Sequence, residues 1–212
     1  MRQPPPGPEV DLWRVDLDAP PVPPPGLLSA AESERRERLR TPTLRQRWGS
    51  SRWALREVLS RYLGLDPSEV ELPLAASRKP SLPGTPPPLG FNLSHSAGLA
   101  LVAVGAGPVG VDVEATATER DFLALAERAL EPNAAALVRA AAPARRGAVF
   151  YAAWTRHEAR LKCLGGGIAG GPPDDPVAAA GVSVGPGYAA AVALAGTATP
   201  RPRLITLELV SA

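Results

Sequence analysis

Cysteine is nearly absent from this sequence, with Cys163 the only one. A lone thiol excludes an intramolecular disulfide framework, and no Cys/His cluster has zinc-ligand spacing. A reducing, cytoplasmic setting is therefore expected. Long apolar runs are missing as well. No uninterrupted stretch approaches the roughly 18 residues of a membrane span, and the opening MRQPPPGPEV lacks the apolar segment of a secretory signal. The expectation is a soluble chain with no membrane partner.

Excess charge of one sign is scarce too. Basic residues number 23 and acidic residues 21, a formal net charge of +2, too small to announce a nucleic-acid binder. Lysine and histidine are rarer still: only Lys79, Lys162, His95 and His157 occur, while 21 of the basic residues are arginine. A compact ammonium differs physically from a planar guanidinium, so these few positions draw attention as sites of chemistry. What is abundant is ordinary: 45% apolar and 21% charged residues in a chain of 212, enough for one domain or two small ones and unlike a disordered composition. The 26 prolines are bunched at 4–8, 20–25, 83–88 and 172–176, which read as extended connectors.

Along the chain, Val10, Leu12, Arg14 and Asp16 alternate with Asp11, Trp13, Val15 and Leu17, predicting a strand. From 43 onward Leu44, Trp48, Leu55, Val58, Leu59 and Tyr62 recur at helical spacing and Gly64 offers a stop, predicting a long amphipathic helix. Arg45, Arg52 and Arg56 form a basic stripe beside that seam. Nine arginines between Arg35 and Arg61 make a field suited to phosphate, although a solvated helix face is the commoner cause of such a pattern. Strands are expected at 70–74, 90–94, 99–104 and 109–114, with a hairpin turn at 94–98. Helices follow at 120–130, 134–141 and 148–164, then a Gly/Pro-rich stretch and strands at 180–184, 189–194 and 204–210. Helices with a small sheet in each half argue for α+β rather than a doubly wound sheet.

Asp112 and Glu114 are two apart on a predicted strand, so both carboxylates share a face. A cation such as Mg²⁺ would offset their repulsion, yet D-x-E also occurs on solvated strands. Trp154, Glu158 and Lys162 share one face of the predicted helix 148–164. An acid and an ammonium one turn apart are usually a stabilising pair, but the apolar Trp154 beside them points to a cleft. There a carboxylate would ligate metal or take a proton, and an ammonium would neutralise a leaving phosphate. Phe91-Asn92-Leu93-Ser94-His95-Ser96 would bind phosphate through its hydroxyls and N–H groups or cap a turn. Lys79-Pro80 either aims the lysine or is a surface loop.

In order and content, Arg56-Glu57-Val58-Leu59-Ser60, Lys79-Pro80, FNLSHS, Gly110-Val111-Asp112-Val113-Glu114 and Trp154 through Lys162 resemble the 4′-phosphopantetheinyl transferases. The larger, surfactin-synthetase-activating (Sfp-like) type is the specific likeness. That resemblance implies an α+β fold of two similar fused halves forming a pseudo-dimer, each with a small, mainly antiparallel sheet packed against a long helix. The halves would be residues 1–106, carrying the basic helix and coenzyme A contacts, and 107–212, carrying the acids. The implied reaction moves 4′-phosphopantetheine from coenzyme A to a serine of an acidic apo acyl or peptidyl carrier protein, releasing adenosine 3′,5′-bisphosphate. Mg²⁺ would be held by Asp112, Glu158 and, directly or through water, Glu114. Glu158 would act as base and Lys162 would assist the departing phosphate. Arg47 would grip the 3′-phosphate, and Lys79, Pro80, Ser94, His95, His157 and Lys162 would contact coenzyme A. His157 departs from the lysine usual there, and Glu34 stands where a basic contact is expected. A monomer is implied, with no nucleic-acid partner. Two other readings of the residues are a noncatalytic basic module gripping nucleic-acid phosphates and a metal-dependent phosphohydrolase.

Overall fold

The long helix expected from residue 43 begins at Thr41, whose side chain accepts from the Leu44 N–H, with Pro42 opening the first turn. It runs through Pro42–Leu63 as α2 and ends at Gly64 in the left-handed region. A computed structural model supplies these coordinates, and it describes residues 1–18, 22–72, 89–117, 119–165 and 176–210. The other helices are α1 (Ala30–Glu37), α3 (Phe122–Ala129), α4 (Pro132–Ala140) and α5 (Arg146–Leu164). Strands are β1 (Glu9–Asp16), β2 (Gly90–Ser96), β3 (Leu99–Gly105), β4 (Val109–Ala115), β5 (Val177–Val182), β6 (Tyr188–Ala195) and β7 (Arg201–Leu207). No helix among the described residues is long and apolar enough to cross a membrane.

Two sheets form, one of order β2-β3-β1-β7 and one of order β4-β6-β5. Leu55, Val58, Leu59 and Tyr62 of α2 pack with Trp13, Val15, Val102 and Val104 on one face of the first sheet. The other face, through Val10, Leu12, Leu99 and Leu101, meets Val109, Val111, Val192 and Leu194 of the second. Ala191 and Ala193 on the far side of β6 then pack under Ala159 and Cys163 of α5. The layers therefore run helix, sheet, sheet, helix. This is why β3, LALVAVG, is buried at every position: its even and odd residues face two different cores. The architecture is α+β with two small sheets, as expected.

Several expectations are corrected. Residues 70–72 form no strand, although Val70 and Leu72 are buried against α2; a 3-10 turn at Pro67–Glu69 directs them there as single anchors, and 73–74 lie outside the described residues. The hairpin turn is tighter than 94–98, since β2 continues to Ser96 and only Ala97 and Gly98 turn the chain. Leu44 is exposed rather than on the apolar seam. The last strand, β7, belongs to 107–212 yet pairs in parallel with β1, covering an edge that would otherwise present unpaired backbone groups. Asp11 explains part of that choice. It is fully buried and accepts from Arg203 of β7, from Arg2 and from Tyr62 of α2.

The basic stripe is also rebuilt. Arg52 and Arg56 face α1, where Glu32 accepts from Arg52 Nε at 2.6 Å and from Arg56 Nη2 at 2.7 Å. Glu32 doubles as the capping-box acid of α1, accepting from the Ser29 N–H. Burial alone would raise its carboxyl; the Arg56 and Ser29 hydrogen bonds and the two guanidinium charges hold it below its ordinary value. Two arginines read as surface charge thus serve as a buried fastening, which removes them from any phosphate-binding stripe.

Candidate active site

Gly110 decides how close α5 comes to β4. A Cβ there would lie 2.0 Å from the Ala159 carbonyl oxygen and 2.5 Å from the Cys163 nitrogen, so the two backbones touch. Glycine alone permits that approach. The helical residues on either side of Ala159 then fall over the β4 face that carries Asp112. Lys162 Nζ donates to Asp112 Oδ1 at 2.6 Å and to Ser94 Oγ at 3.0 Å. Glu158, on the same helical face, is buried beside them. Burial pushes its carboxyl above the ordinary glutamate value, and the charges of Asp112 and Glu114 add to that while Lys162 opposes it.

The outer edge of β4 is closed by side chains rather than by a strand ladder. Asn92 Oδ1 accepts from the Val111 N–H at 3.0 Å, Ser94 Oγ from the Val113 N–H at 3.3 Å, and Ser96 Oγ from the Ala115 N–H at 3.0 Å. The same hydroxyls donate onward, Ser94 to Asp112 Oδ1 and Ser96 to Glu114 Oε2, each at 3.1 Å. Trp154 Nε1 donates to the other Glu114 oxygen at 3.4 Å, and its ring stacks on Phe150. Every polar residue of the period-two set in FNLSHS therefore positions β4 and its acids. Neither a turn cap nor a bare phosphate cradle describes that job. The N-x-S-x-S alternation is the sequence signal that places these three side chains on one face.

The expected site residues do not all converge. Asp112, Glu114, Glu158, Lys162 and Ser94 form one cluster. His95 leaves β2 on the opposite face, the one packed by α2. It reaches solvent, but crowding by protein, followed by the charges of Lys162 and Arg52, lowers its pKa. His157 lies tilted against Trp154 with ring centroids 6.0 Å apart. Arg47 of α2 holds Asp18 through two hydrogen bonds, of 2.6 and 2.8 Å. Lys79 and Pro80 lie outside the described residues.

Two carboxylate oxygens in the cluster, Asp112 Oδ2 and Glu158 Oε1, are buried without a hydrogen-bond partner among the described residues. Buried anionic oxygens in that condition are costly unless a cation or donor meets them. Among the described residues no group of three or more His, Cys, Asp or Glu is disposed as a metal cage. Mg²⁺ does not need one, since it commonly takes one or two carboxylates and completes its octahedron with water and substrate phosphates. The donor set fits that ion.

A sequence model of the 4′-phosphopantetheinyl transferase superfamily matches residues 108–193, from the start of β4 through most of β6. The chain is 37% identical over 167 residues to 4′-phosphopantetheinyl transferase HetI of Nostoc sp., covering 76% of this chain and 70% of that protein. It belongs to the 4′-phosphopantetheinyl transferase family. A putative 4′-phosphopantetheinyl transferase of Synechocystis sp., slr0495, is 32% identical over 77% of this chain and 68% of its own. The 4′-phosphopantetheinyl transferase of Bacillus subtilis is 28% identical over 54% of this chain and 50% of its own. The chain is thus an enzyme of the transferase class, and the span matched by the superfamily includes Asp112, Glu114, Glu158 and Lys162. Sequence reasoning missed three residues of this transferase: Asp18, Glu32 and the close approach at Gly110. The first two look like ordinary surface acids until their arginine partners are located.

Proposed function

We propose that the chain transfers the 4′-phosphopantetheine moiety of coenzyme A to a serine hydroxyl of an apo acyl or peptidyl carrier protein, in a Mg²⁺-dependent reaction that releases adenosine 3′,5′-bisphosphate. The observation that carries this reading is the pair of partnerless buried oxygens, Asp112 Oδ2 and Glu158 Oε1, beside Lys162. Asp112 and Glu158 would hold the ion. Both Glu114 oxygens already accept hydrogen bonds, so it would complete the shell through water. Bound there, Mg²⁺ would neutralise the pyrophosphate and polarise the phosphorus under attack.

The chain's own residues supply the rest. Glu158, buried beside Asp112 and Lys162, takes the proton from the serine hydroxyl as its oxygen attacks phosphorus. The bond from that phosphorus to the bridging oxygen breaks, and the electron pair leaves with adenosine 3′,5′-bisphosphate. Lys162 neutralises the departing charge. Arg47 would hold the 3′-phosphate, with Ser94, His95, His157, Lys79 and Pro80 as further coenzyme A contacts. The layering of α2 on one sheet and α5 on the other supports the two-half, pseudo-dimeric, surfactin-synthetase-activating type, which would act as a monomer in the cytoplasm. An acidic carrier is compatible with the chain's formal net charge of +2.

The test is mass spectrometry of an apo carrier protein incubated with enzyme, Mg²⁺ and coenzyme A. Gain of one phosphopantetheine by the carrier, and its loss with Glu158→Ala, is the expected result. Hydrolysed coenzyme A with an unmodified carrier, or near-normal transfer by that variant, would overturn the reading.

A further inference from the structure

Arg47 presents its guanidinium fork to a carboxylate of its own chain. Nε donates to Asp18 Oδ1 at 2.6 Å and Nη2 to Asp18 Oδ2 at 2.8 Å, the two parallel bonds of a fork-to-fork pair. Asp18 is set in place from two sides. Its own N–H donates to Asp16 Oδ1 at 2.9 Å, and the turn between β2 and β3 makes room for it at Gly98, where a Cβ would lie 2.3 Å from Asp18 Oδ2. The Arg47 hydrogen bonds hold the Asp18 carboxyl below its ordinary value, which keeps it anionic at neutral pH.

The pair is also exchangeable. Side-chain exposure is 27% for Arg47 and 53% for Asp18, the setting in which an ion pair contributes little net stability. A fork that accepts a carboxylate accepts two oxygens of a phosphate monoester in the same geometry, and the monoester brings more charge. Asp18 and such a phosphate are therefore rivals for one donor face.

We propose that Asp18 is an internal competitor for the phosphate monoester bound by Arg47, and that it sets how tightly the enzyme holds any ligand bearing that group. This rests on the coenzyme A reading above, in which the monoester is the 3′-phosphate. Substrate and released adenosine 3′,5′-bisphosphate both carry it. Asp18 thus weakens substrate binding modestly and, by retaking the fork, hastens departure of the product. A ligand without the 3′-phosphate leaves the Asp18–Arg47 pair closed and is indifferent to it.

Calorimetric titration of the full chain and of Asp18→Asn with coenzyme A, its 3′-dephospho form and adenosine 3′,5′-bisphosphate tests this. Asn keeps the size of the side chain and removes the charge. Coenzyme A and the bisphosphate are expected to bind the variant about two- to fivefold more tightly, the range an exposed ion pair commands, with the dephospho form unchanged. Equal tightening of all three would reveal a general charge effect and overturn the proposal. Unchanged or weaker binding of coenzyme A would overturn it too, by making Asp18 a mere support for Arg47. Wild-type protein that binds coenzyme A but modifies no carrier would sink the transferase reading while leaving the competition measurable; failure to bind coenzyme A at all would end both.

Discussion

The carbonyl oxygen of Ala159, with the backbone nitrogen of Cys163 behind it, occupies the space that any side chain at Gly110 would need, and this close approach fixes Glu158 and Lys162 above Asp112. Gly110→Ala forces α5 away from β4. A destabilisation of about 1–3 kcal/mol is expected from overpacking, read from urea denaturation. Transfer activity should fall further than stability accounts for, because Glu158 and Lys162, the residues proposed to act on substrate, both ride on the displaced helix. Retention of full activity in a folded variant would show that the site tolerates a wider gap than the geometry implies.

A second prediction concerns the ion. If Asp112 Oδ2 and Glu158 Oε1 take Mg²⁺, adding it raises the melting temperature of the chain without coenzyme A or carrier. Saturation at 100 times the dissociation constant corresponds to about 2.7 kcal/mol. Glu158→Gln removes an anionic ligand and should lose most of that shift while melting normally in chelator. An equal shift in the variant would place the ion elsewhere.

Glu32 gives the fold a pH dependence of definite sign. Its carboxyl lies below its ordinary value of 4.5 in the folded chain, so its contribution is present above that ordinary value and lost as pH falls through the folded one. Stability of the wild type should drop steeply in that acid window. Glu32→Gln, which has no such proton to gain, should be less stable at neutral pH and show a flatter acid limb. Glu32→Ala leaves two buried guanidiniums without their anion and should cost about 3–5 kcal/mol at pH 7. Parallel acid limbs for wild type and Glu32→Gln would remove Glu32 from the account.

Glu32 also marks where the sequence stops being readable. Helices α2 and α5 follow from apolar spacing closed by Gly64 and Gly165, and β3 from an unbroken apolar run. Asp112 and Glu114 are legible as a pair because strand alternation is a local rule. What lies hidden depends on contacts far apart in the chain: Arg52 and Arg56 look like solvated charge until α1 is docked on them, and Asp18 becomes the partner of Arg47 only when β1 and α2 meet. The return of β7 to β1 is similarly non-local. Long-range ion pairs and sheet order have no periodicity for a single sequence to display.

The stitching of β4 by β2 supplies the last prediction. Asn92→Ala leaves the buried Val111 N–H without its acceptor, at a cost of about 1–3 kcal/mol. Because Asn92, Ser94 and Ser96 each serve a different amide, the damage should be local. Hydrogen exchange at Val111 accelerates in Asn92→Ala and at Ala115 in Ser96→Ala, while amides in the β1–β3 ladder keep their wild-type protection. The two variants should then diverge in activity. Ser96 also donates directly to Glu114, so its loss alters an acid of the cluster, whereas Asn92 accepts from the Val111 N–H and bears on the neighbouring Asp112 through the backbone. Uniform acceleration along β4 in both variants would mean that the edge is held by packing of Val111 and Val113 and that the polar side chains are passengers.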